Sequence, residues 1–305
     1  MALAGTEVET HVQGKKRDSL AFIHQMAADA VVRIAAKKEQ EAASPKRLFL
    51  PGLDDFMRAM PNHIARSSLF APVGNGMKSL YKDAVLESRA DARIIFSGEQ
   101  LDESQADVWM QAMHEASKVP LGEPVTITRK RFLESIGRHV GNWEYDWLYR
   151  TMRALSFAML TIEVRSGDTV KLKIGTTPKS DALHMIDGLA FDPETDEYKL
   201  RIDPRWHAMY SNREWARIDW SKRMQFAQGQ HMAKALQRLV ATSNETTQRH
   251  QLEWLKRKLA YTSPMRKFRR SLKATMLELE RLKIVAGGRI ERSTKGKEQA
   301  VWTKL

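Results

Sequence analysis

Apolar positions along the chain recur first at helical spacing and later in alternation, and the switches between the two periods predict its elements. Near the N-terminus Leu20, Ile23, Ala27, Val31 and Ile34 share one face, and Ser44-Pro45 ends the run. Residues 1–46 therefore read as a flexible N-terminal arm, partly helical. Residues 47–90 read as a connector or entry segment: between Leu48 and Lys82 the chain is rich in Pro, Gly and Asn, with only Leu48-Phe49-Leu50 and Leu69-Phe70 as apolar anchors. That stretch predicts extended chain with one short helix.

From Arg93 the pattern becomes regular. Arg93-Ile-Ile-Phe predicts a strand, Glu103–Ser117 a helix with Val108, Trp109, Met113 and Ala116 inward, and Val125–Ile127 a strand. Thr128 is placed to cap a helix over Arg129–Ile136, and the Gly137–Gly141 turn leads into another over Trp143–Phe157. Leu160–Val164 and Val170–Ile174 form a hairpin around Ser166-Gly167-Asp168, with further strands at His184–Leu189 and Tyr198–Ile202. After Arg213 a similar order returns: helices over Lys222–Val240, Gln248–Leu259 and from Pro264 to about Lys283. A small hairpin follows, with Gly287-Gly288 as its turn and Val301-Trp302-Thr303 as its second strand. Helix, helix, helix and β-wing, twice over, predicts an α+β fold of two tandem winged-helix domains, residues 91–212 and 213–305.

Charge changes this picture by singling out one end. The formal net charge is +13, and Lys256–Lys297 holds fourteen Lys and Arg against Glu278, Glu280 and Glu291, a net of +11. A block of one sign on an otherwise balanced chain points to a polyanionic ligand, whereas a solvated helix face carries both signs. The chain has no Cys, which excludes disulfides, Cys-ligated zinc and a thiol nucleophile. No apolar run reaches the roughly 20 residues needed to span a bilayer, and the Leu20-Ala-Phe-Ile stretch is interrupted by His24, Asp29 and Arg33, so a soluble cytoplasmic protein is expected.

On a helical wheel, Arg266, Arg269, Arg270 and Lys273 fall within an arc of roughly 100°, opposite Phe268, Thr275, Leu279 and Leu282. Pro264 at the first helical position, with Ser263 as N-cap, puts these cations and Lys267 in the first turns, where a recognition helix meets the major groove. Arg289, Arg292, Lys295 and Lys297 in the hairpin suit a wing on the phosphate backbone. In the first half Arg150 and Arg153 lie beside Trp143 and Trp147, and the Trp pair favours packing over base stacking. No enzymatic motif emerges. Gly74-Asn-Gly-Met-Lys-Ser lacks the spacing of a phosphate loop, and the nine His contain no His-x-His pair and no His-Glu-x-x-His, so neither a metal nor a cofactor is expected. A rolling-circle nickase would need a Tyr nucleophile with metal-binding His. A transcriptional regulator would share the fold but bind without melting DNA.

Arg58-Ala-Met-Pro-Asn-His-Ile-Ala-Arg-Ser-Ser-Leu-Phe70, Ile94-Ile-Phe-Ser-Gly-Glu-Gln-Leu101, Asp107-Val-Trp109 and Leu121-Gly-Glu-Pro-Val-Thr-Ile-Thr128 resemble, in order and spacing, TrfA-type plasmid replication initiators. The resemblance covers residues 47–305, the second half mainly by element order. It implies a non-enzymatic bacterial protein that binds direct repeats (iterons) at a plasmid origin and opens adjacent AT-rich DNA, held single-stranded. It further implies recruitment of host DnaA, replicative helicase and sliding clamp, and a monomer–dimer equilibrium. The family's clamp-binding motif corresponds to Lys46-Arg-Leu-Phe-Leu50, which keeps Leu48 and Phe49 but lacks the Gln.

Overall fold

The two periods resolve into a mixed α+β architecture in the computed structural model, which describes residues 25–27, 29–31, 33, 48–73, 78–175, 182–210 and 214–305. The chain divides into two compact units, Met1–Arg47 and Leu48–Leu305. In the first, residues 25–27, 29–31 and 33 are helical and exposed. Ala27 and Val31, expected on the apolar face of the arm's helix, are exposed; Leu20, Ile23 and Ile34 lie outside the described residues, as do Gly74–Met77 of the phosphate-loop-like stretch.

The second unit begins with β1 (Met57–Pro61), α1 (Asn62–Ala65), β2 (Phe70–Ala71) and β3 (Leu80–Leu86), so the segment expected to be extended with one helix also supplies three strands. β4 (Ala92–Glu99) and β5 (Leu101–Asp102) lead into α2 (Glu103–Ala116). A reciprocal capping box fixes where α2 starts: the Asp102 carboxylate accepts from the Gln105 backbone N–H at 2.9 Å, and the Gln105 side chain accepts from the Asp102 N–H at 2.9 Å. Then come β6 (Val125–Thr128), α3 (Arg129–Ser135), α4 (Asn142–Phe157), β7 (Met159–Ser166), β8 (Thr169–Ile174), β9 (Leu183–His184), β10 (Gly188–Asp192), β11 (Glu197–Arg201) and α5 (Trp206–Tyr210). β12 (Trp215–Asp219) returns to pair antiparallel with β1, Met57 opposite Asp219 and Pro61 opposite Trp215. The entry segment is thus sewn to residues more than 150 positions later, which no local pattern announces. β3, β4, β7 and β8 form an antiparallel sheet with β9 on β7, and β10, β11 and β6 form another.

The chain continues through α6 (Trp220–Arg223), α7 (His231–Ala241), β13 (Thr247–Gln251), α8 (Leu252–Lys258), α9 (Met265–Arg281), β14 (Val285–Arg292) and β15 (Glu298–Lys304). Three expectations change here. The single helix over Lys222–Val240 is two, broken around Gly229, whose φ of +85° is a left-handed conformation open to glycine. The expected helix over Gln248–Leu259 starts as strand β13, recruited as an outer strand of the sheet β13–β15–β14. Gly287-Gly288 is not the hairpin turn: it sits at the register shift between Ala286 and Arg289 in β14, and the turn lies at Ser293–Lys297, where Gly296 donates to the Ser293 carbonyl.

Two hydrophobic clusters result, one drawn from Leu50 to Trp220 and one from Phe226 to Trp302. Charge joins them. Glu103 and Asp107 on the inward face of α2 are buried, and so are Arg223 of α6 and Arg238 of α7. Arg223 donates to Asp107 at 2.5 Å and to Glu103 at 2.9 Å, Lys234 donates to Asp107 at 2.5 Å, and Arg238 pairs with Glu103. Burial pushes the Asp107 carboxyl up, but the Arg223 and Lys234 charges and hydrogen bonds outweigh it and hold the group below the ordinary carboxylate value. Among the described residues no helix is long and apolar enough to cross a membrane.

Candidate nucleic-acid interface

The sequence of α9 makes it two-faced, and one of the two faces packs on the rest of the chain. Phe268, Leu272, Thr275, Met276 and Leu279 are buried, and Leu282 just beyond the helix is buried as well. The face predicted to be core is core. Arg266, Lys267, Arg270 and Lys273 are exposed on the rest of the first turns, and none of their side chains has a hydrogen-bond or ion-pair partner among the described residues. Four cations close together without counter-charges give this face a field that attracts polyanions. The start of the helix differs by one residue from expectation: Pro264, with φ −54° and ψ 153°, is itself the N-cap, and no side chain caps the helix. The first N–H groups of α9 are therefore open, which favours an anion at that end.

Arg269 has a partner within the chain that the sequence did not announce. Its guanidinium clasps Glu298 at the start of β15, with Nε 3.1 and 3.2 Å from the two carboxylate oxygens and a further bond through one terminal nitrogen. The hydrogen bonds to Glu298 push Arg269 up, and the bond from Arg269 holds Glu298 below the ordinary carboxylate value. Arg269 fastens the hairpin to the helix, and its side chain stays part-exposed while it does so. Glu298 stands one residue past the acid-poor window, so the charge count missed it.

The hairpin is further seated by Gly288. Its N–H donates to the Glu280 side chain at 2.6 Å, and a Cβ there would stand 2.9 Å from the Cβ of Met276, so only glycine allows β14 so close to α9. Arg292, Lys295 and Lys297 are exposed without side-chain partners among the described residues. Arg289 is partly neutralised by Glu291 at 2.7 Å.

The first-half helix α4 buries Leu148, Met152 and Leu155 as expected, together with Thr151. Its two tryptophans part company. Trp147 packs on the core and carries Arg138 over its ring at 3.5 Å, while Trp143 is 71% exposed and does not pack into an interface. Arg150 lies 5.5 Å from the Trp143 ring centroid and Arg153 5.5 Å from that of Phe157, which is also exposed. This face offers flat rings braced by guanidinium groups, a surface suited to bases and sugars. Leu48 is half-buried, its carbonyl taken by the Leu121 N–H, and Phe49 is exposed; Lys46 lies outside the described residues. Among the described residues no cluster of three or more His, Asp and Glu is placed to hold a metal ion.

Comparison with known proteins gives this surface a context. The plasmid replication initiator protein TrfA of Escherichia coli is 25% identical over 173 residues, covering 55% of this chain and 43% of that protein, so the chain matches less than half the length of this relative. Two crystal structures of domains 2 and 3 of RctB, one of them of selenomethionine derivatives, superpose with TM-scores of 0.43 and 0.39 at 13% identity, covering 77% and 79% of this chain and 94% and 96% of theirs. Those scores decide nothing about chemistry or partners. The sequence profile described as TrfA protein matches residues 28–226, well over half of the chain and ending just before α7. The chain belongs to the TrfA protein family.

Proposed function

We propose that this protein initiates plasmid replication by binding direct repeats in double-stranded origin DNA through two winged-helix domains, residues 91–212 and 213–305. In the second domain α9 lies in the major groove with Arg266, Lys267, Arg270 and Lys273 toward the DNA, and the β14–β15 hairpin lays Arg292, Lys295 and Lys297 along the phosphates. In the first, α4 presents Arg150, Arg153 and the exposed Trp143. The element order α7, α8, α9 and hairpin, with a single hydrophobic cluster beneath, supports the winged-helix reading of the second half. The observation that carries the proposal is the cationic face of α9, four exposed side chains without internal partners on a helix whose other face is core. Family membership supplies the biological setting.

By the same reading the bound protein opens AT-rich DNA beside the repeats, holds it single-stranded, and engages host DnaA, helicase and sliding clamp, switching between dimers and DNA-binding monomers. Phe49 is the exposed member of the clamp-motif pair. The protein acts without covalent chemistry, in the bacterial cytoplasm. Permanganate probing of a supercoiled origin plasmid tests the distinction from a transcriptional regulator. The account expects reactive thymines beside the protected repeats; protection without reactivity would reduce the protein to a binder.

A further inference from the structure

A second concentration of positive charge lies away from α9. Residues of the 66–91 segment and of the β13–α8 junction line an open crease that contains Arg66, Arg89, Arg249 and Arg257. Their internal compensation is incomplete. Arg89 is committed to Asp91, at 2.9 and 2.6 Å, and Arg257 reaches Glu87 only at 3.5 Å. The side chains of Arg66 and Arg249 have no hydrogen-bond or ion-pair partner among the described residues. Arg66 is half-buried; burial and the neighbouring Arg89 push its pKa down, and the charges of Asp91 and Glu245 offset only part of that. His250 in the same wall stacks on Trp254, and its Nε2 is buried without a hydrogen-bond partner among the described residues. Burial, with Arg66 and Lys258 nearby, lowers its pKa to about 4, so it is neutral near pH 7 and adds no charge of its own.

Holding a guanidinium partly out of water without a hydrogen-bonded counter-charge is unfavourable, and so is burying an imidazole nitrogen without a partner. An anion that fills the crease relieves both. The guanidinium fork matches two oxygens of a tetrahedral phosphate better than any other common anionic group except carboxylate. α8 belongs to the same hydrophobic cluster as α9, and β13 pairs with β15 of that cluster, so the crease is built on the body that carries the cationic helix. We infer that this crease holds a phosphate of the DNA backbone, gripped chiefly by Arg66 and Arg249, as a contact separate from α9 and its hairpin. The inference rests on the DNA-binding reading given above.

The test uses the full chain on duplex DNA bearing its repeats, with affinity followed by anisotropy across a range of salt. Arg249→Ala is a surface change, and Arg66→Ala removes an unpaired cation, so both are expected to fold with unchanged thermal midpoints. Each should flatten the plot of log affinity against log salt by about 0.9, the value of one phosphate contact, while leaving the preference for repeat over random DNA intact. Slopes equal to wild type in both variants, while Arg266→Ala with Arg270→Ala weakens binding, would overturn the crease assignment alone. No binding by the wild type removes the DNA reading and the crease contact with it, whereas flattened slopes in the crease variants with no loss on changing Arg266 and Arg270 would keep the crease and remove α9. Titration with inorganic phosphate and with ATP in the absence of DNA closes the remaining route: saturable binding abolished by Arg66→Ala, with the DNA slope unchanged, assigns the crease to free phosphate compounds instead.

Discussion

Arg269 and Arg270 are neighbours in sequence and look equivalent on a helical wheel, yet one is clasped by Glu298 and the other has no side-chain partner among the described residues. Their substitutions should separate. Arg270→Ala with Arg266→Ala removes ligand contacts, on the scale of about 1–3 kcal/mol for each base read bidentately, without changing stability. Arg269→Ala acts through the hairpin, and Glu298→Ala should weaken DNA binding in the same direction, with the double substitution little worse than either single one. A double-mutant cycle on affinity checks this. Tighter binding by Glu298→Ala would instead make Glu298 a competitor that occupies a DNA-reading arginine.

The core face of α9 could be read from the sequence because it obeys one period over seventeen residues, and the same holds for α4. Glu298 could not, since contact with Arg269 depends on how β15 folds back.

Among elements, the hairpin and α9 form one instrument. Gly288 and Glu280 set their spacing, and Lys295 and Lys297 stand at the hairpin tip. Replacing both lysines should flatten the salt dependence of binding by about one unit per lost phosphate contact, with repeat preference retained; an unaltered slope takes the tip away from the DNA. Elements fixed by local chemistry were legible: the start of α2 at Glu103 and the Gly167 turn appear where pattern places them. Those fixed by distant partners were not. β1 exists because β12 pairs with it, and β13 is a strand because β15 offers an edge, although Gln248 onward has helical spacing. The Gly287-Gly288 pair carries a turn signature and is spent on a bulge instead.

For the whole molecule, the two hydrophobic clusters are joined by Glu103 and Asp107 facing Arg223, Lys234 and Arg238. Breaking such a buried set leaves charge uncompensated, so Asp107→Asn should destabilise by about 3–5 kcal/mol in denaturant unfolding. Because the Asp107 carboxyl is held below its ordinary value of 3.8, its contribution is present above that pH and is lost as pH falls through the folded-state value. Acid unfolding of wild type should therefore carry a component that Asp107→Asn lacks, and superimposable acid profiles would remove the network from the account. Nothing in the sequence marks this joint: Glu103 and Asp107 read as ordinary acids of an amphipathic helix, and their partners lie more than a hundred residues on. The crease arginines were hidden for the same reason.

On the proposed function, this family member grips repeated DNA through the exposed cations of α9. The decisive experiment is nuclease footprinting of the purified full chain on the DNA that flanks its own coding sequence, with wild type and with Arg266→Ala, Arg270→Ala in parallel. The account predicts periodic protection of each repeat by wild type and loss of that protection, at unchanged thermal stability, in the double variant. Equal protection by both proteins would contradict it.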